Sequence, residues 1–210
     1  MSRASSPLAA SSGGVSTVSK VIWHVTMSLD GFIAGPDDSM DWVIGGWSDD
    51  GTTTRDIEVD RSSMAEEIVL STGAILGGRR WFDVAERQYD GVDGIYGGQW
   101  QGPVFVLTHR PPEEAVDDTV TFVSTPLADA VETARAAANG KDVVIFGANL
   151  AQQCLGEGLL DEIAIHLAPV LLGDGIRLFG TSDSQPFALR RTTLADSGQI
   201  TDLRFSVLRR

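Results

Sequence analysis

The stretch Asp142-Val-Val-Ile-Phe-Gly-Ala-Asn-Leu150 decides the fold. Its four consecutive apolar residues, Val143 to Phe146, have the signature of a strand buried on both faces, as in a parallel sheet. Gly147 ends the run, and a helix-compatible segment begins at Asn149. A strand that stops at a glycine and passes into a helix leaves orphan N–H donors pointing out of the sheet. The positive end of the helix dipole reinforces them, so such an end suits a phosphate. From these nine residues alone, a plain strand-to-helix connection without a ligand is equally open.

Working outward, the chain alternates strands and helices. Upstream, Thr125-Pro126 opens a helix whose face is Leu127, Ala130, Val131, Ala134 and Ala138, and Asn139-Gly140 closes it. Downstream, Asp161 to Leu172 reads as a long strand bent at Pro169, which cannot donate to a ladder. Nearer the start, Lys20 to Ser28 alternates, with Val21, Trp23, Val25 and Met27 on one side and Ile22, His24, Thr26 and Ser28 on the other. Thr54 to Leu70 has helical spacing, Ala74 to Leu76 is a short strand, and residues 81–85 form a short helix. Two more strands follow, over 104–108 and 120–124, and residues 187–195 and 200–208 form a C-terminal hairpin. This order predicts one α/β domain over 18–210, with a mostly parallel central sheet flanked by helices and an antiparallel C-terminal edge. Two segments have no clean period: a Trp-rich loop over 41–51, and a glycine-rich loop over 88–102, expected to be mobile with aromatic anchors.

Composition limits the partners. Sixteen basic and 29 acidic residues give a net charge of −13, which argues against nucleic acid and against an anionic membrane surface. The single cysteine, Cys154, excludes an internal disulfide and reads as a buried thiol. Residues 1–17 are rich in Ser, Ala and Gly and are expected to be a disordered tail. Their apolar run is too short for a secretion signal, so the expected compartment is the cytoplasm.

Three predicted strand ends carry unusual residues: Gly77-Gly78-Arg79-Arg80, Thr108-His109-Arg110, and Gly147-Ala148-Asn149-Leu150. In a parallel sheet these ends share one edge, where open α/β sheets bind ligands. Three arginines beside two helix starts, in an acidic protein, favour phosphate, which guanidinium forks match in pairs. The same arginines could instead pair with surface carboxylates. No dinucleotide fingerprint is present: Gly173-Asp174-Gly175 fails because Leu178 stands where the last glycine belongs. The histidines His24, His109 and His166 lack zinc-ligand spacing, and two of them read as half-buried strand residues. Asp30, at the end of the first strand, is the one carboxylate placed to orient a substrate or relay a proton; an Asp-Gly turn is the plain alternative.

These residues resemble the dihydrofolate-reductase-like superfamily, in the branch of the riboflavin-biosynthesis reductase domain. The similar segments are Met27 to Ala34, Gly73 to Arg80, Val104 to Thr108, Val143 to Leu150 and Gly158 to Gly175, in the family's order. The resemblance implies an NADPH-binding fold, a small-molecule substrate and a homodimer. In the riboflavin branch that substrate is a ribosylaminopyrimidine, and in the folate branch dihydrofolate. Gly78, Arg79 and Arg80, with Thr108, His109 and Arg110, would hold the 2′-phosphate side. Gly147, Ala148, Asn149 and Leu150 would take the pyrophosphate, and Asp30 would border the nicotinamide and the substrate. Where the family often carries two glycines, this chain has Gly147-Ala148. The carboxylate that grips the pterin belongs on the first long helix, where Asp56, Glu58, Asp60, Glu66 and Glu67 all stand near the place. An NADPH-dependent reductase is therefore expected, with an inactive NADPH-binding or dimeric interaction protein as the alternative.

Overall fold

The computed structural model describes residues 19–44, 63–113, 117–180 and 186–209. The expected tail over 1–17, the later part of the Trp-rich loop and the first half of the helix over 54–70 lie outside the described residues.

The strands are β1 (Val21–Ser28), β2 (Phe32–Ala34), β3 (Thr72–Gly78), β4 (Val104–Leu107), β5 (Val120–Val123), β6 (Asp142–Phe146), β7 (Glu162–Ala168), β8 (Ile176–Arg177), β9 (Leu189–Ser197) and β10 (Ile200–Val207). The helices are α1 (Asp41–Ile44), α2 (Ser63–Ser71), α3 (Arg79–Gln88), α4 (Leu127–Ala137) and α5 (Ala148–Gly156). A 3-10 turn over Gly91–Gly98 lies between α3 and β4. Eight strands form one sheet in the order β5-β4-β3-β6-β1-β7-β10-β9. The first six are parallel. The hairpin β9–β10 adds the antiparallel edge, and β2 and β8 pair separately. The expected α/β architecture, parallel in its centre and antiparallel at its C-terminal edge, is the one observed.

The sheet carries apolar side chains on both faces. On one, Trp23, Leu76 and Ile145 meet Ala130, Val131 and Ala134 of α4 and Ala151 and Cys154 of α5. On the other, Ile22, Ile75 and Val144 meet Met64 and Ile68 of α2, Phe82 of α3 and Ile95 of the 3-10 turn. Each fully buried aliphatic side chain contributes about 1.5–3 kcal/mol. Two expectations change. The strand expected over 161–172 ends at Ala168, because Pro169 has no N–H to continue the ladder. The loop over 88–102 is pinned by its aromatic residues. The Tyr89 hydroxyl accepts from the Met40 N–H at 2.6 Å, and Trp100 Nε1 donates to the Thr72 carbonyl at 3.0 Å.

The neighbours β3 and β6 send their helices to opposite faces: α3 to the face of Ile22, α5 to the face of Trp23. A crevice therefore opens at their carboxyl ends, the position where open α/β sheets take ligands.

Candidate active site

One cleft of about 2580 Å³ follows this edge. That exceeds the roughly 300–1,000 Å³ of a single drug-sized ligand and leaves room for a dinucleotide beside a second molecule. Every residue of the three expected strand-end clusters from Gly78 onward lines it, that is, Gly78 to Arg80, Thr108 to Arg110 and Gly147 to Leu150.

At the crevice, backbone comes close to backbone. Gly147 holds φ +95° and ψ 126°, a conformation other residues rarely adopt. A Cβ there would stand 3.5 Å from Trp81 Cβ and 3.9 Å from the Gly78 nitrogen. A Cβ on Gly77 would overlap the Trp81 ring, so that position also demands glycine. Among the described residues no side chain caps α5, whose first-turn N–H groups start at Ala148, Asn149 and Leu150. The Asn149 side chain turns away and accepts from Gln153 Nε2 at 2.6 Å. The result is an uncapped helix start facing glycine backbone, a fit for a phosphate group of a nucleotide.

The arginines form the rim. Arg79 pairs with Asp83 at 2.7 Å and donates to the Arg110 carbonyl at 3.1 Å. Arg80 pairs with Asp38 at 2.8 Å. Both readings of these arginines thus meet in one place: they are paired with carboxylates, and they line the cleft. Such exposed pairs contribute at most about 1 kcal/mol, so a phosphate can compete for either guanidinium. The Arg110 guanidinium has no carboxylate partner among the described residues. The Thr108 hydroxyl fixes the Arg110 backbone by accepting its N–H at 3.1 Å. His109 is exposed beside it.

Asp30 does not line the cleft. Its carboxylate accepts from the Ser28 hydroxyl at 2.6 Å, the Leu172 N–H at 3.1 Å and the Gly173 N–H at 2.8 Å. It latches the turn after β1 to the loop after β7, and this geometry gives it a structural role. These donors, the Ser28 hydroxyl first, hold its carboxyl at about 2, below the usual range. A depressed folded-state value stabilises above the unfolded value of about 3.9 and is lost as pH falls through the folded one. Asp30→Asn is therefore expected to lower the melting temperature at neutral pH. The gap from the native protein should close as both are melted in acid, near pH 2. A gap that stays constant down to that pH would show that the latch contributes nothing through its charge.

The other end of the cleft holds a polar line that sequence patterning did not assemble. Tyr96 Oη lies 2.8 Å from His24 Nδ1. His24 Nε2 lies 2.7 Å from His166 Nε2. His166 Nδ1 lies 2.6 Å from Asp202 Oδ1, and Asp202 Oδ2 accepts from the Ser197 hydroxyl at 2.8 Å. Tyr96, His24 and His166 line the cleft; Asp202 is fully buried behind them. Burial, with His166 and Arg204 nearby, pushes His24 down to about 3, so it stays neutral at physiological pH. Burial also pushes the Tyr96 phenol up. Register brings these residues together: Thr26 pairs with His166 and Asp202 pairs with His166 across β1, β7 and β10. The sequence reads two of the histidines as half-buried strand residues, but strand order was the missing information. Cys154 is buried, and burial with Glu157 nearby pushes its thiol up to about 12, which removes it as a nucleophile.

The fold and cleft define an α/β protein whose cleft lies at the carboxyl ends of parallel strands. The chain belongs to the RibD C-terminal domain family, whose sequence model matches residues 19–202. Two Bacillus subtilis (strain 168) proteins, both named uncharacterized, are similar to it. YyaP is 26% identical over 168 residues, covering 76% of this chain and 80% of its own. YwjB is 28% identical over 168 residues, covering 76% and 82%. Among solved structures, a Shewanella sp. PV-4 protein described as a riboflavin biosynthesis protein superposes with a TM-score of 0.69 at 23% identity, covering 90% of this chain and 99% of that one. The Saccharomyces cerevisiae riboflavin biosynthesis reductase Rib7 gives 0.57 at 16% identity, covering 97% and 95%. These likenesses establish the fold, and the expected riboflavin-reductase branch of the dihydrofolate-reductase-like superfamily holds. No helix among the described residues is long and apolar enough to cross a membrane.

Proposed function

We propose that this protein is an NADPH-dependent reductase that transfers a hydride to a small heterocyclic, pterin- or pyrimidine-like substrate. The observation that carries the reading is the union, in one cleft, of an uncapped helix start over glycine backbone with a buried polar line at the far end. The first suits a cofactor's phosphates; the second suits a reaction that moves protons. Its relatives support the reading, since Rib7 is a riboflavin biosynthesis reductase. Gly147 to Leu150 would hold the pyrophosphate, and Arg79, Arg80 and Arg110 the 2′-phosphate. When bound, the nicotinamide supplies the hydride. The apolar wall of Trp42, Val43 and Val69 would seat the flat ring of the substrate and keep water from it. Trp42 Nε1 is buried without a partner among the described residues and would offer that ring a hydrogen-bond donor. A homodimer in the cytoplasm completes the proposal, and sedimentation of the purified protein tests its dimeric part.

Two measurements test the function. NADPH should quench tryptophan fluorescence on titration, and added dihydrofolate or ribosylaminopyrimidine should consume it. Binding without consumption of either would favour an inactive nucleotide-binding protein; no binding ends the proposal. The joint substitution Arg79→Ala with Arg110→Ala removes charge-assisted contacts that are worth about 1.5–3 kcal/mol each. NADPH affinity should then fall roughly tenfold or more, and NADH affinity much less. Equal losses for the two would remove the 2′-phosphate assignment.

A further inference from the structure

Two imidazoles joined Nε2 to Nε2 share one proton between those nitrogens. In the uncharged arrangement His166 Nδ1–H donates to Asp202, His24 Nε2–H donates to His166, and the Tyr96 hydroxyl donates to His24 Nδ1. One proton added to His166 reverses the line. His166 Nε2–H then donates to His24, His24 carries its hydrogen on Nδ1 and donates to the Tyr96 oxygen, and the Tyr96 hydroxyl hydrogen turns to the cleft. His24 is uncharged in both arrangements, in keeping with its burial. The charged and titratable groups around the line are Asp202 and Arg204 on β10, Glu162 on β7 and Glu67 on α2. Both glutamates are bound to Arg204, Glu162 is shared with Lys20, and the added proton on His166 faces Asp202. The backbone of Tyr96 sits at φ 53° and ψ 33°, a left-handed conformation that a non-glycine residue rarely adopts. It is in this conformation that the ring lies between Phe146 and His24, with centroids 5.9 and 5.5 Å away.

We propose that Tyr96 is the catalytic acid of this cleft and that His24, His166 and Asp202 are the positioning residues that supply its proton. The inference rests on the reductase reading above. A substrate carbon takes a hydride from the reduced nicotinamide, which is left oxidised. The π pair of the reduced double bond moves to its other atom and bonds the Tyr96 proton. Tyr96 takes the proton from His24 Nδ1, His24 takes one from His166 Nε2, and His166 passes from imidazolium to neutral against Asp202. Solvent in the cleft returns the proton to His166, whose side chain is 12% exposed.

The test uses the full chain with ¹⁵N-labelled histidine and no nucleotide, titrated by NMR from about pH 9 to about pH 5, the range in which histidine charge changes. His24 is expected to switch from Nε2–H to Nδ1–H as the pH falls, and never to become imidazolium. Tyr96→Phe removes the far acceptor and should fix His24 as Nε2–H at every pH. Asp202→Asn, where it folds, should abolish the switch. A native His24 that keeps one tautomer or charges, or a switch that survives Tyr96→Phe, overturns the proposal. Because no nucleotide is present, this failure is distinct from a failure to bind NADPH. In turnover of dihydrofolate or ribosylaminopyrimidine, Tyr96→Phe should lower kcat by roughly 100-fold or more. An unchanged kcat overturns the acid role even if the switch is seen.

Discussion

Arg204→Met is expected to lower the stability of the fold by about 3–5 kcal/mol. Arg204 is buried on β10, under α2. Its Nε donates to Glu162 Oε2 at 2.7 Å and its Nη1 to Glu67 Oε1 at 2.8 Å. Burial opposes its charge, and the two carboxylates more than restore it, so the guanidinium stays charged. Methionine fills much of the space but leaves the buried Glu162 carboxylate with only Lys20, at 2.8 Å and half in solvent. An uncompensated buried charge is the larger loss; the net attraction of the intact pair is small after desolvation. In a chain of this size the change corresponds to a drop in Tm of roughly 6–20 °C by calorimetry. Adding Glu162→Gln to the variant should return a large part of it. Glu67→Gln alone should cost no more than about 1 kcal/mol, because the Glu67 side chain is 65% exposed. If Arg204→Met melts within a degree or two of the native protein, the buried cluster does not hold the β10 edge to the sheet.

Gly147→Ala should weaken NADPH binding by tenfold or more, which is about 1.4 kcal/mol. The cause is backbone and not crowding. A Cβ would make ordinary contact with Trp81 at 3.5 Å, yet φ +95° with ψ 126° strains any side-chain-bearing residue by about 1–3 kcal/mol. Relief comes only by rotating the peptide that aims the first N–H groups of α5. Gly78→Ala provides the contrast. Its φ of −81° suits any residue, and its Cβ would meet only Leu150 Cβ at 3.8 Å, so the variant should fold and melt like the native protein. Isothermal titration with NADPH on both variants separates the two effects. Full affinity in Gly147→Ala would mean that the phosphates do not sit at this helix start.

Much of the strand-end edge of the cleft was legible in the sequence, because its signals are local. Val143 to Phe146 followed by Gly147 announce a buried parallel strand and a helix start, and β6 does lie between β3 and β1. The Gly77-Gly78 and Thr108 ends were placed on the same edge by strand direction alone. The polar line was not legible, although two of its histidines read as half-buried strand residues. His24 and His166 stand 142 positions apart, and His166 and Asp202 stand 36 apart. Only the order β1-β7-β10 makes them neighbours, and no short pattern encodes strand order. Asp202 and Arg204 alternate with Leu203 and Phe205, yet both are buried, Arg204 bonded to Glu67 of α2 and Asp202 to His166 of β7. Asp30 hid its latch for a related reason. Its position after β1 is informative, but its partners Leu172 and Gly173 come from a loop 142 and 143 positions away.

The stacking of Trp81 on Phe146, centroids 5.0 Å apart, and the approach of Phe146 to Tyr96 tie the two ends of the cleft together. The strand-end clusters hang on the ends of β3 and β6, and the polar line hangs on the faces of β1, β7 and β10. Phe146, the last residue of β6, touches a neighbour of each, so a change in the volume of its ring is transmitted to both ends at once.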